Sequence, residues 1–147
     1  MELRLDIDAL RLDEEWLTQS KMRQIWGEKL ADAQLEFDNA KASLAVVTAE
    51  LDNEIRSDPE SYGVKKITES AVASAIPREV LHQRAMKKLN NTRHQVNVLQ
   101  AAVDGLEHRK RALTSLVELH GQDYFATPSM PRGVKRDKRR ENNDGDD

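Results

Sequence analysis

The feature that most constrains this chain is a heptad repeat of apolar residues in its first third. The apolar side chains recur at spacings that alternate between four and three residues, except for a final second step of four. They are Trp26, Leu30, Ala33, Phe37, Ala40, Leu44, Val47, Leu51 and Ile55. This spacing places them along one side of a long α-helix. Because an apolar stripe of this length needs another surface to cover it, the repeat predicts a partner helix.

A second repeat with the same spacing lies later in the chain and supplies that partner. Its members are Leu89, Thr92, Val96, Leu99, Val103, Leu106, Leu113 and Val117, with Lys110 at a position where a heptad residue is due. The two repeats predict an all-α fold, a long antiparallel helical hairpin of the coiled-coil type. We expect the long helices at about 13–56 and 77–120.

A further apolar row lies outside both repeats. It comprises Leu35, Val46, Ala49, Val80, Met86, Val98, Leu116 and Leu119. One interface between two helices cannot cover both rows, so the surplus predicts self-association of the hairpin.

The connection between the long helices carries turn and capping residues. Asp58-Pro59 and Tyr62-Gly63 indicate turns after the first long helix. Thr68 is a predicted N-cap, so we expect a short helix at about 68–76 with Val72, Ala75 and Ile76 facing inward. Pro77 is predicted to be the first residue of the second long helix, and Gly121 its stop.

The two ends of the chain differ from the predicted helical domain, which covers 13–125. In the N-terminal arm, residues 1–12, alternating Leu3, Leu5 and Ile7 resemble a strand, but a short helix fits as well. We expect a helix or a docked arm, which is a candidate for exchange onto a neighbouring subunit. Residues 126–147, a basic cluster followed by an acidic end, are predicted to be a disordered charged tail.

Composition excludes several classes of function. The chain has no cysteine, which removes thiolate zinc sites and cysteine nucleophiles. Its four histidines, His82, His94, His108 and His120, are too widely spaced for a zinc site, and no glycine-rich phosphate loop is present. We therefore expect a protein that is not an enzyme and needs no cofactor. No apolar run approaches the ~18 residues of a membrane span, and no secretory signal is visible, so we expect a cytoplasmic protein.

Charge is distributed unevenly between the two predicted arms. Residues 1–56 hold 13 acidic and 7 basic residues, whereas residues 78–123 hold 8 basic and 5 acidic ones. Opposite charges either help the arms to dock or leave the second arm free to bind an anion. The candidate nucleic-acid-binding residues near the connection are Lys65, Lys66, Arg84, Lys87, Lys88 and Arg93, with Tyr62 as a stacking aromatic.

The order of these features resembles a known family. A Leu/Asp-rich start is followed by a Trp-containing helix at Trp26–Leu30, the Tyr62-Gly63 turn, Lys66-Ile-Thr-Glu69 opening a short helix, and Arg109-Lys-Arg-Ala-Leu113 late in the second long helix. Over most of residues 5–125 this layout is similar to the UvsY-type recombination mediators of bacteriophages, which are small all-helical proteins.

The resemblance implies a function in DNA recombination, with related roles in repair and replication. It implies a homo-oligomer, ring-like, that binds single-stranded DNA and helps to load a RecA-like recombinase onto strands coated by single-strand-binding protein, in the host cytoplasm if a phage encodes it. In the family the DNA-binding residues lie toward the end of the first long helix, where this chain offers only Arg56. The alternative is a structural or adaptor coiled coil, for instance in phage assembly, without nucleic-acid binding.

Overall fold

The computed structural model describes residues 1–122, and its regular elements are all helical. They are α1 (Leu12–Ser57), α2 (Glu69–Ala75) and α3 (Val80–Gly121), with 3-10 turns at Glu60–Tyr62 and Ile76–Arg78. The predicted tail at 126–147 lies outside the described residues. With 46 residues, α1 is about 70 Å long.

The two long helices form the predicted antiparallel hairpin. Gln19 of α1 bonds Leu106 of α3, whereas Phe37, further along α1, lies beneath Arg93, which is earlier in α3. Residue numbers thus rise along one helix as they fall along the other. The fold class read from the two heptad repeats is confirmed.

The two repeats face each other across the hairpin, and we call their positions the inner stripes. Every residue of the α1 repeat is buried or half-buried. On α3, Leu106 and Leu113 are fully covered, whereas Val117 near the open end remains 41% exposed. Most of the further apolar row is left outside, since Leu35, Val46 and Val98 keep about half or more of their surface accessible, whereas Leu116 and Leu119 are half-buried. The hairpin therefore does not cover both rows.

A second apolar cluster closes the connection end of the hairpin. Leu51 and Ile55 from the end of α1 pack with residues of the connection, namely Val64, Val72, Ala75 and Ile76. Two local devices shape the connection. The Thr68 hydroxyl accepts a hydrogen bond from the Ala71 N–H at 3.1 Å, as expected of an N-cap. Gly63 has a φ of 72°, a left-handed conformation that suits glycine.

The start of α3 differs from the prediction. Pro77 does not open the long helix, because it lies inside the 3-10 turn that follows α2. The Glu79 N–H donates to the Ile76 carbonyl at 3.1 Å, and Glu79 then turns to an extended conformation. Burial of Ile76 in the cluster holds this turn in place, so α3 begins only at Val80.

The N-terminal arm has no regular secondary structure over residues 1–8 and docks on the open end of the hairpin. Leu5 lies against Gly105 of α3, where an added Cβ would come within 3.3 Å of both Leu5 methyl carbons. The backbone of the arm is tied down as well, because the Asp6 carbonyl and the Asp8 N–H bond side chains of α3 and α1. Of the two expected forms, the structure has the docked arm.

Candidate nucleic-acid interface

The first half of α3 carries positive charge without any carboxylate. From Val80 to Val103 the sequence contains no aspartate or glutamate, whereas Arg84, Lys87, Lys88 and Arg93 all lie in it. All four side chains are exposed. We call this stretch, residues 80–103, the cationic half of α3.

The four cations of this half point in three directions. Arg84 and Lys88 are four residues apart and share one flank of the helix. Lys87 follows the half-buried Ala85 by two residues, which turns it away from α1. Arg93 is about two and a half turns beyond Arg84 and lies on the other flank. Its guanidinium carbon is 5.7 Å from the centroid of the Phe37 ring.

The structure brings two further candidates to the same end of the hairpin. Lys65 and Lys66 are exposed and follow Val64, which is buried in the cluster of the connection. Ile76 of that cluster lies just before α3. Lys65, Lys66, Arg84 and Lys88 therefore occupy one end of the molecule.

These cations are not neutralised within the described part of the chain. Among residues 1–122, ion pairs are made by Arg4, Arg11, Arg23, Arg56 and Arg109, and by none of the candidates from Lys65 to Arg93. Two of these ion pairs join α1 to α3, Arg23 with Glu107 at 2.7 Å and Arg109 with Glu15. The cationic half thus makes no ion pair with α1, although the arms differ in charge.

Arg56, the candidate implied by the family resemblance, has a different environment. Its Nε donates to Asp52 Oδ2 at 2.9 Å, and its Nη2 donates to Glu69 Oε2 at 2.9 Å. The hydrogen bond to Asp52, followed by that to Glu69, raises the pKa of Arg56 above its ordinary value. Two carboxylates therefore already compensate the charge of Arg56.

The aromatic rings near this end are also engaged. The Tyr62 hydroxyl donates to Glu54 Oε2 at 2.8 Å, and this bond raises the pKa of the Tyr62 hydroxyl. The Tyr62 ring packs against the apolar cluster of the connection. Because one side of the ring is held against the protein, that side of Tyr62 is not accessible for stacking with a base.

The structure contains a buried polar cluster that sequence reasoning missed. Glu15, Gln19 and Arg109 are only 4%, 3% and 3% exposed, at the open end of the hairpin. The Arg109 Nη1 donates to Gln19 Oε1 at 2.7 Å, and its Nη2 donates to Glu15 Oε2. Gln19 in turn donates to the Leu106 carbonyl at 2.7 Å.

The N-terminal arm completes this cluster. The Asp8 N–H donates to Glu15 Oε1 at 2.9 Å, and Arg109 Nη2 donates to the Asp6 carbonyl at 3.2 Å. The hydrogen bond from Asp8 is the main reason that the pKa of Glu15 lies below its ordinary value, and the Arg109 guanidinium adds to it against the effect of burial.

A signal for this cluster was present in the sequence. Steps of four, three and four residues backwards from Trp26, which break the strict alternation once at Trp26, give Met22, Gln19 and Glu15. Two of these three further positions of the inner stripe are polar. On α3 the inward position was assigned to Lys110, and that assignment is wrong. Arg109 is buried between Leu106 and Leu113, whereas Lys110 is exposed.

Within residues 1–122, two other kinds of site are absent. None of the described helices is long and apolar enough to cross a membrane. Over the same residues, no group of three or more metal-ligating side chains is arranged to hold an ion.

Comparison of the chain with protein-family models, curated proteins and solved structures finds no match in any of the three.

Proposed function

We propose that this protein is a homo-oligomeric, non-enzymatic mediator that binds single-stranded DNA and helps to load a RecA-like recombinase. The observation that carries the proposal is the cationic half of α3, whose exposed cations form no ion pair with residues 1–122. Free lysine and arginine side chains bind phosphates by releasing the counterions that surround them. The resemblance of the layout to UvsY-type mediators supports the choice of single-stranded DNA.

The partners and the compartment follow from the resemblance. We propose that the protein acts in the cytoplasm, that of the host if a phage encodes it, on strands covered by single-strand-binding protein. A loading assay tests this part, because a mediator shortens the lag before the recombinase hydrolyses ATP on covered strands. An unchanged lag would remove the mediator role and leave DNA binding to be judged separately.

The DNA-binding part predicts a strong dependence on salt. If Lys65, Lys66, Arg84 and Lys88 each neutralise one phosphate, the logarithm of the affinity falls with the logarithm of the salt concentration with a slope of about −2.8 per chain. Fluorescence anisotropy with a labelled oligothymidine measures this slope. Undetectable binding at low salt, or an affinity independent of salt, would overturn the proposal.

Charge reversal locates the binding surface. In the quadruple variant, Lys65, Lys66, Arg84 and Lys88 are each replaced by glutamate, and binding at low salt should fall by more than about a hundredfold. The matched control also reverses four charges, by replacing the exposed lysines Lys21, Lys29 and Lys41 of α1 and the exposed Lys110 of α3 by glutamate. If the control variant loses as much affinity as the quadruple variant, binding is not localised to this end of α3.

Arg56 tests the site that the resemblance implies. Because Asp52 and Glu69 already bind its guanidinium, Arg56→Gln should change the affinity for single-stranded DNA less than about twofold. A loss as large as that of the quadruple variant would instead place the DNA at the end of α1, as in the family.

The alternative is a structural or adaptor coiled coil that does not bind nucleic acid. The exposed apolar row favours it, because Leu35, Val46, Val80 and Val98 require a protein partner and no DNA. Light scattering with and without oligonucleotide separates the two functions. An assembly whose mass does not change when oligonucleotide is added, in the wild type as in the charge-reversal variants, would favour the adaptor.

A further inference from the structure

The outward side of α1 carries a second heptad stripe. Its members are Leu35, Asn39, Ala42, Val46, Ala49 and Asn53, all of them exposed. Each follows an inner-stripe residue by two positions, which is about 200° around the helix. We call this set the outer stripe of α1. It repeats the alternating spacing of the inner stripe and contains no charged residue, so it has the pattern of a helix-packing surface.

The charged residues that flank this outer stripe are all acidic. In heptad terms the flanking positions hold Glu36, Asp38, Ser43, Ala45, Glu50 and Asp52. Asp52 is paired with Arg56, whereas Glu36, Asp38 and Glu50 form no ion pair with the described residues. If the outer stripes of two α1 helices packed together in antiparallel fashion, Glu36 of one copy would face Glu50 of the other. A pairing of α1 with itself therefore lacks any compensating cation.

The outward side of α3 has the complementary character. Its outer stripe runs through Lys87, Asn91, His94, Val98 and Ala101, again at alternating spacings and all exposed. Arg84 and Lys88 lie beside this stripe, and the whole half contains no carboxylate. The acidic flanks of α1 are therefore complementary in charge to α3 of a second copy, and not to the α1 of that copy.

We propose that the outer stripe of α1 docks on the outer stripe of α3 in a second copy of this chain. This inference rests on the assembly part of the function proposed above and names its interface. The two outer stripes lie on opposite edges of a flat two-helix layer, because each faces away from the other helix. The contact is therefore heterologous, and it closes into a ring or extends as an open layer of alternating helices.

Such an assembly leaves cations available for DNA. The neighbouring copy covers only the outward side of α3, which is the side that carries Lys87 and Val98. Arg84 and Lys88 lie on one flank and Arg93 on the other, so they face the two broad surfaces of the layer. Assembly would then repeat Arg84 and Lys88 of each copy along one broad surface and Arg93 along the other.

Placing charge in the stripe tests the interface. Leu35→Glu with Val46→Glu adds two carboxylates to the outer stripe without touching the fold, since the two side chains are 61% and 56% exposed. Like charge beside the acidic flanks should raise the dissociation constant of assembly about a hundredfold or more and leave the 16.7 kDa monomer. Leu10→Glu, at a leucine that is 92% exposed and precedes α1, is the control and should assemble normally.

A charge-swap variant distinguishes the two possible pairings. Glu50→Lys alone weakens assembly if α1 meets the cationic half of α3, whereas it strengthens assembly if α1 meets α1, because the new lysine of one copy would then face Glu36 of the other. Sedimentation equilibrium without DNA reads out both variants. A monomeric wild-type protein, full assembly of the double glutamate variant, or stronger or unchanged assembly of the Glu50→Lys variant overturns the inference. Oligonucleotide binding is measured separately, so that a protein that assembles without binding DNA refutes only the proposed function.

Discussion

Arg109→Ala removes the central side chain of the buried polar cluster at the open end of the hairpin. The guanidinium gives hydrogen bonds to Glu15, Gln19 and the carbonyl of Asp6. Alanine leaves the Glu15 carboxylate, which is only 4% exposed, without its buried counterion. The backbone N–H of Asp8 remains as a partner, together with the largely exposed Arg4.

The size of the effect follows from what remains around Glu15. Removing one partner of a buried ion pair costs about 3–5 kcal/mol, because the remaining charge is left in a poorly solvated site. The contact with Arg4 offsets little, since the Arg4 side chain is 61% exposed and surface pairs contribute about 0–1 kcal/mol. We therefore expect Arg109→Ala to lower the free energy of unfolding by about 3–5 kcal/mol. The neighbouring exposed residue gives the control, and Lys110→Ala should stay within about 0.5 kcal/mol of wild type.

Urea unfolding followed by circular dichroism at 222 nm measures these differences. Protein concentration is held fixed, because assembly makes apparent stability depend on it. The double variant Glu15→Gln with Arg109→Met removes both charges and should be more stable than Arg109→Ala, since no buried charge is left unpaired. A loss below about 1 kcal/mol for Arg109→Ala would show that the cluster is hydrated in solution and would refute this reasoning.

Three further predictions concern the same fold. Lowering the pH below the ordinary pKa of a glutamate should destabilise wild type more than Glu15→Gln, as measured in urea titrations. The folded chain holds the pKa of Glu15 below its unfolded value, so the stability that this shift provides is lost as Glu15 becomes protonated. Leu106→Ala, at a fully covered position, should cost about 2–5 kcal/mol in the same assay, with the exposed Leu81→Ala as control. Thr68→Ala removes the cap of α2 and should cost about 1 kcal/mol, whereas Thr68→Ser should restore most of it.

The helices were predictable from the sequence because their inner stripes are long and regular. Nine apolar positions at heptad spacing between Trp26 and Ile55 are a pattern that only a long covered helix satisfies. The predicted ends of α1 differ from Leu12 and Ser57 by one residue each. Thr68 was also correctly assigned as a cap, since its role depends on neighbours three residues away.

The start of α3 could not be read from local signals. Pro77 suits the first turn of any helix, but the buried Ile76 sets where the chain turns from the connection into α3. Burial of Ile76 depends on Leu51 and Ile55, which are more than twenty residues away. Such a tertiary constraint overrides the local preference of proline.

The candidate site, too, could be predicted from the sequence only in part. Exposure of Arg84, Lys87 and Lys88 follows from their places outside the inner stripe, so the sequence predicted it. The pairing of Arg56 with Glu69 depends on how the connection folds back on α1, and spacing does not reveal it. A docked arm was one of the two expected forms of residues 1–8, but the place where it docks was hidden, because its partners Glu15 and Arg109 are 94 positions apart.

The polar cluster also bears on the register of the hairpin. A heptad repeat of similar apolar residues tolerates a slide of one helix past the other by seven residues, because each inner position then meets another apolar one. Such a slide would leave Glu15 and Arg109 buried without each other, at a cost of several kcal/mol. The apolar cluster at the connection adds to this penalty, since a slide would draw Ile76 away from Leu51 and Ile55 and expose apolar surface. The pair of charges at the open end and the apolar cluster at the connection therefore both favour one register for about 40 residues of apolar contact between them. On this argument, replacing both charges retains stability and loosens the register.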